Sequence, residues 1–177
     1  MTTANKITLF RIAMIPVFLI LAYTDAGIWT VLVFLIASLS DTLDGYIARH
    51  YDQITDFGKF MDPLADKILV LSAMCFFVER GQMPGWAVAV ILFREFAISG
   101  LRLIAVEQGR VIAAGWSGKV KTTVTMLGIL LMLAFPKPGI LNQLCVLLIL
   151  ITTVYSGAEY FWKNRDVFSK QREKPRR

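Results

Sequence analysis

Six stretches of roughly twenty mostly apolar residues follow one another in a chain of only 177, with turn chemistry between them. A helix that crosses a hydrocarbon layer about 30 Å thick, rising about 1.5 Å per residue, needs about twenty residues. The pattern therefore predicts helices near 6–23, 27–49, 58–79, 84–106, 117–135 and 139–162. Asp25-Ala26-Gly27, Arg80-Gly81-Gln82 with Pro84-Gly85, and Pro136-Lys137-Pro138-Gly139 supply the breaks. Pro16 should kink the first helix by displacing the carbonyl of Ile12, and Pro63 suits the first turn of the third. Hydrophobic residues make up 56% of the chain, above the roughly 45–50% of a soluble domain. The expectation is an all-α integral membrane protein in one domain, 1–177, without internal repeat or linker. Lys6 and Arg11 before the apolar Ile12–Thr24 mimic a secretory signal, but no small-x-small cleavage pattern follows. That segment reads as a retained first helix.

Charge sets the orientation. With both termini cytoplasmic, the outer loops hold only Arg80 and Lys137 of the 19 Lys and Arg, as the positive-inside rule requires. The net charge of +6 follows from this placement and points away from nucleic-acid binding. The basic end, from Lys163 to Arg177, is expected to be solvated.

Several spans are apolar at one end only. Asp41, Asp44 and Arg49 close the second, and Lys59, Asp62, Asp66 and Lys67 open the third. Arg94, Glu95 and Arg102 lie in the fourth, and Lys119 and Lys121 open the fifth. In this topology every one of these charges falls on the cytoplasmic side. A charge facing lipid at mid-depth costs about 2.5–3.5 kcal/mol, so four such carboxylates would cost roughly 10–14 kcal/mol. They must instead face one another, water or metal, in a polar cavity open to the cytoplasm.

Asp41 and Asp44 are spaced i, i+3 and Asp62 and Asp66 i, i+4, so each pair shares a helical face. A short connection near 50–57 makes the two helices antiparallel neighbours, which brings four acids to one depth. Like charges so close need compensation, which cations supply. Gly45, Ala48 and Gly58 leave room there, and Arg49 offers a phosphate or ribose contact. His50 is the single histidine. Cys75 and Cys145 lie separately in apolar runs, outside any CxxC pair. An oxygen-only donor set favours magnesium, manganese or calcium over zinc. On the residues alone, two classes remain open: a phosphoryl-transfer enzyme acting on a metal-bound diphosphate, and an ion or metal transporter using the same acids.

The order Asp41-x2-Asp44-Gly45-x2-Ala48-Arg49-x8-Gly58-x3-Asp62-x3-Asp66 resembles the signature of the CDP-alcohol phosphotransferase family, with all eight positions present. Asn5-Lys6-Ile7-Thr8, Asp62-Pro63-Leu64-Ala65-Asp66-Lys67, Arg94-Glu95-Phe96 and Gly118-Lys119-Val120-Lys121-Thr122 extend the likeness. They resemble the bacterial branch that moves a phosphatidyl group from CDP-diacylglycerol to glycerol 3-phosphate. Ala4 stands where that branch often has proline. The resemblance implies six transmembrane helices, a homodimer in the plasma membrane and a site facing the cytoplasm. It implies two Mg2+ or Mn2+ ions held by Asp41, Asp44, Asp62 and Asp66. Asn5, Thr8, Asp44, Gly45, Ala48, Arg49 and Gly58 would bind the CDP part of the donor, and Asp66 would be the catalytic base.

A phosphorylated acceptor needs cations apart from the metals. The candidates are Arg94, Arg102, Lys119 and Lys121, although Arg94 is equally suited to pairing with Glu95. Asn5, Thr8 and Arg11 recur every third residue, on one face of the first helix, where a cap-and-anchor role competes with donor binding. Rival readings are another alcohol acceptor, a transporter, and a non-catalytic scaffold.

Overall fold

The computed structural model describes residues 3–50, 56–113 and 115–169, with backbone alone at 3–4, 41–50, 56–60, 62–63 and 168–169. The described residues are all-helical: α1 (Thr3–Tyr23), α2 (Ile28–His50), α3 (Asp56–Glu79), α4 (Gly85–Glu107), α5 (Trp116–Ala134), α6 (Ile140–Lys163) and the four-residue α7 (Asp166–Ser169). The six long helices coincide with the six expected, because each apolar run ends in residues that break helices. Asp25, Gly27, Gly81 and Gly109 adopt positive φ at or near the turns, a region that glycine enters freely and aspartate tolerates.

Two details differ from the sequence expectation. The third helix begins at Asp56, so Pro63 is its eighth residue and sits in the third turn, not the first. The basic end is not wholly solvated at its start. Val167 is 1% exposed and packs with Ile98, Leu101, Ala105 and Tyr160 in a small second core. Gln108 Nε2 donates to the Val167 carbonyl at 3.0 Å, and Arg110 pairs with Asp166. The apolar side chain of Val167 has more to gain beneath the end of α4 than in water.

The main core joins the six long helices. α1 lies against α2 and α3, α5 against α6, and α4 against α6. The Phe18 and Phe34 rings meet at 5.5 Å between α1 and α2, and Leu69, Met74 and Phe77 of α3 are fully buried beside them. At the opposite end from the charged helix termini, Tyr23 donates to Glu79 at 2.6 Å, Arg80 pairs with Asp25 at 2.7 Å, and Gln82 donates to the Pro136 carbonyl. These contacts tie the three turns together.

α6 is built inside out relative to a helix of a soluble protein. Its buried face is Asn142, Cys145, Val146, Ile149, Thr153, Ser156, Gly157 and Tyr160. Leu144, Leu147, Leu148, Ile151, Val154 and Tyr155 are each at least half exposed. Water would favour the reverse arrangement; lipid accepts this one. Three helical stretches, Asn5–Tyr23, Trp116–Ala134 and Ile140–Lys163, are long and apolar enough to cross a membrane.

Candidate active site

Asp66 lies in the third turn of α3 and is half-buried. It lines an open cavity of about 160 Å³ between α3, α4 and α5. The polar lining groups are Asp66 and Lys67 from α3, Glu95 from α4, and Lys121, Thr122 and Thr125 from α5. The remaining walls are apolar, among them Ile68, Leu71, Ile91, Leu92 and Met126. Lys67 donates to Ser99 of α4 at 2.7 Å, which joins α3 to α4 beside the cavity.

The other motif residues, Asp41, Asp44, Gly45, Ala48, Arg49, Gly58 and Asp62, have side chains outside the described residues. Their backbone places Asp41 and Asp44 in the last three turns of α2 and Asp62 in the second turn of α3. The helices on either side of 51–55 are in contact, which agrees with the short reversal that the sequence predicts.

The helix face predicted from Asn5, Thr8 and Arg11 is buried: the three are 7%, 1% and 0% exposed. That burial rules out a surface anchor for Arg11. Its Nε donates to Ser40 Oγ at 3.2 Å, and Ser40 in turn donates to the Ala37 carbonyl at 2.7 Å. The α1 face therefore meets α2 at the residue immediately before Asp41. A fully buried guanidinium is stable only where polar or anionic groups surround it.

The four cations considered for an acceptor phosphate have separate settings. Lys121 is 6% exposed, and its Nζ lies 2.7 Å from Glu95 Oε1. Arg94 reaches the same oxygen at 2.9 Å through one terminal nitrogen and Ser156 Oγ at 3.0 Å through the other. Arg102 donates from Nε to Tyr160 Oη at 2.9 Å, with its guanidinium 5.5 Å from the ring centre. Lys119 is exposed in the first turn of α5. Glu95 is thus the hub of a network that the sequence reading treated only as one alternative partner for Arg94. Small residues admit the network. A Cβ at Gly157 would stand 3.1 Å from Arg94 Cγ, and one at Gly118 would stand 3.8 Å from an Arg94 terminal nitrogen.

The donor chemistry of Asp66 suits a hard cation. Asp66 offers carboxylate oxygens at a polar corner of an otherwise apolar cavity. The two cysteines are elsewhere, Cys75 on the apolar half of α3 and Cys145 buried in α6. Among the described residues no three His, Cys, Asp or Glu side chains gather as a metal site. Three of the four acids in question lie outside that set.

Apolar outward faces, and a largely apolar cavity lined by a carboxylate and two lysines, mark a helical membrane protein. A family model for CDP-alcohol phosphatidyltransferases matches residues 1–155, and the chain belongs to that family. It is 42% identical over 180 aligned positions to a CDP-diacylglycerol–glycerol-3-phosphate 3-phosphatidyltransferase of Bacillus subtilis (strain 168), covering 90% of this chain and 93% of that protein. It is 37% identical over 168 positions to a probable phosphatidylglycerophosphate synthase of Mycobacterium tuberculosis, covering 89% and 78%. A third relative, a CDP-diacylglycerol–glycerol-3-phosphate 3-phosphatidyltransferase of Haemophilus influenzae, is 41% identical over 131 positions, covering 70% of each chain.

Proposed function

We propose that this protein transfers a phosphatidyl group from CDP-diacylglycerol to sn-glycerol 3-phosphate, giving phosphatidylglycerophosphate and CMP. The observation that carries the reading is the identity with relatives of that name along nearly the whole chain. The geometry supports it, because Asp66 borders a cavity with lysines at its polar edge and apolar walls suited to lipid.

In the proposed reaction, the carboxylate of Asp66 takes the proton from the acceptor hydroxyl. The hydroxyl oxygen attacks the phosphorus that bears the diacylglycerol, and the bond from that phosphorus to the CMP oxygen breaks. Direct displacement suits a chain without a Ser-His or Cys-His pair in pattern. Asp41, Asp44, Asp62 and Asp66 would hold two divalent ions, Mg2+ or Mn2+. Bound there, these ions neutralise the charge of the diphosphate and of departing CMP. Gly45, Ala48, Arg49 and Gly58 line the nucleotide, with Asp44 close to it, and the buried Asn5 and Thr8 stand at its side. Arg94, Arg102, Lys119 and Lys121 supply positive charge on the acceptor side.

The whole chain, 1–177, forms one membrane domain of six spans in the plasma membrane, with termini and site cytoplasmic, and two copies form a homodimer. Four exposed tryptophans support the spans, and the Lys/Arg bias supplies the orientation. Trp29 and Trp86 open α2 and α4, whereas Trp116 opens α5 and Trp162 lies at the end of α6. In the proposed topology they form one belt at each water interface. The charges inside α4 do not oppose a span, since Arg94 and Glu95 find partners within the bundle.

The test is CMP release by purified protein from CDP-diacylglycerol with a panel of alcohols, with and without a divalent-metal chelator. Release with glycerol 3-phosphate that stops on chelation is expected. Release with a different alcohol alone would refute the acceptor, and ion flux without CMP would refute the reaction.

A further inference from the structure

We infer that Glu95 is a positioning residue for the acceptor: it fixes Lys121 on the cavity wall, and Arg94 braces it from behind. The inference rests on the proposed transfer to glycerol 3-phosphate.

Glu95 and Lys121 both line the cavity that Asp66 borders. Arg94 does not; it lines a separate groove between α4 and α6. The two cations meet on one atom, Glu95 Oε1, at 2.7 and 2.9 Å. Arg94 is itself anchored on Ser156 of α6, and its stem lies against Gly157, where a Cβ would approach to 3.1 Å. The order from the far side of α4 to the cavity is Ser156, Arg94, Glu95, Lys121. A lysine on a flexible four-carbon stem is a poor fixed charge unless it is held. The brace removes that freedom before the acceptor arrives, which lowers the ordering cost of binding.

Charge accounting agrees. Two cations share one carboxylate, so the network keeps one net positive charge. A phosphate at the polar edge would complete it. Without Arg94, the Glu95–Lys121 pair would be neutral and would hold its lysine against the acceptor rather than for it. Arg94 therefore contributes without touching the substrate.

The test is steady-state kinetics of detergent-purified Glu95→Gln and Arg94→Met, with both substrates varied in turn. Glu95→Gln is expected to raise KM for glycerol 3-phosphate at least tenfold while kcat and KM for CDP-diacylglycerol stay within threefold. Arg94→Met should give the same selective change, and the double variant should be no worse than either single one. Glu95→Asp, which keeps the charge one methylene short, should fall between. Additive effects in the double variant would mean that Arg94 binds phosphate directly, and would overturn the inference. So would an unchanged or lowered KM for glycerol 3-phosphate, the latter being what the extra positive charge left by Glu95→Gln would give on its own, or a loss of kcat with both KM values unchanged. If Glu95→Gln fails to fold, Arg94→Met and Ser156→Ala carry the same expectation. Wild type run in the same series separates the two levels: no turnover of glycerol 3-phosphate by wild type refutes the proposed function itself.

Discussion

Gly128 is where α5 and α6 come closest to being unable to accept a single additional atom. A Cβ there would lie 2.9 Å from Ile149 Cδ1, 3.3 Å from Ile149 Cγ1 and 3.8 Å from Cys145 Cβ. Ile149 is fully buried, so its side chain has little room to yield. Overpacking of this kind costs about 1–3 kcal/mol, and replacing a helical glycine by alanine returns up to about 1 kcal/mol of helix propensity. Gly128→Ala is therefore expected to destabilise the protein by about 1 kcal/mol, the middle of the roughly 0–2 kcal/mol that remains. Ile149→Val deletes the nearest atom and alone costs about 0.5–1.5 kcal/mol. In the Gly128→Ala background it should cost almost nothing, because the atom removed is the one in the way. The assay is reversible unfolding of the four proteins in mixed micelles, read as a double-mutant cycle. A Gly128→Ala protein more stable than wild type would show that Ile149 yields without strain, and would refute the reasoning. So would effects that add to within about 0.5 kcal/mol, as they do for independent sites.

Other expectations follow from the same contacts. Arg102→Lys keeps the charge but loses the Nε hydrogen bond to Tyr160 and the guanidinium's place over its ring, so KM for glycerol 3-phosphate should rise less than tenfold, whereas Arg102→Glu should raise it much further. Equal effects of the two would show that charge at 102 is irrelevant. The Asp25–Arg80 pair is exposed, at 70% and 40%, and such pairs contribute about 0–1 kcal/mol. Asp25→Asn should therefore leave unfolding nearly unchanged. Asp25→Val should cost more, because the backbone φ there is 52°, a conformation that β-branched residues resist. Thermal or denaturant midpoints of the two variants check both statements.

The helices were legible because apolar length and turn chemistry agree at nearly every boundary. α3 starts at Asp56, two residues before the predicted 58, which puts Pro63 in the third turn, where it leaves only the carbonyl four residues before it, that of Lys59, without its donor. Which helices touch was not legible; period alone does not say that α4 lies on α6. The acid motif was visible as spacing, and Asp66 does border the cavity. The hub at Glu95 was missed because adjacent opposite charges read as a local pair. A signal was present on α6: Thr153, Ser156, Gly157 and Tyr160 form a small and polar face at helical spacing. In a membrane helix such a face marks where a charged neighbour must dock. Arg11 was harder, since a basic residue near a helix end serves equally as an anchor, and only burial decides.

In the proposed reaction Asp66, on the cavity lining, performs the proton transfer. Its most direct test is single-turnover CMP release from CDP-diacylglycerol and glycerol 3-phosphate by Asp66→Asn, alongside donor binding to the same protein. A general base contributes about 10²–10⁴-fold. A rate lower by about 10²-fold or more is expected, with the protein folded and the donor still bound. A rate within tenfold of wild type would contradict it.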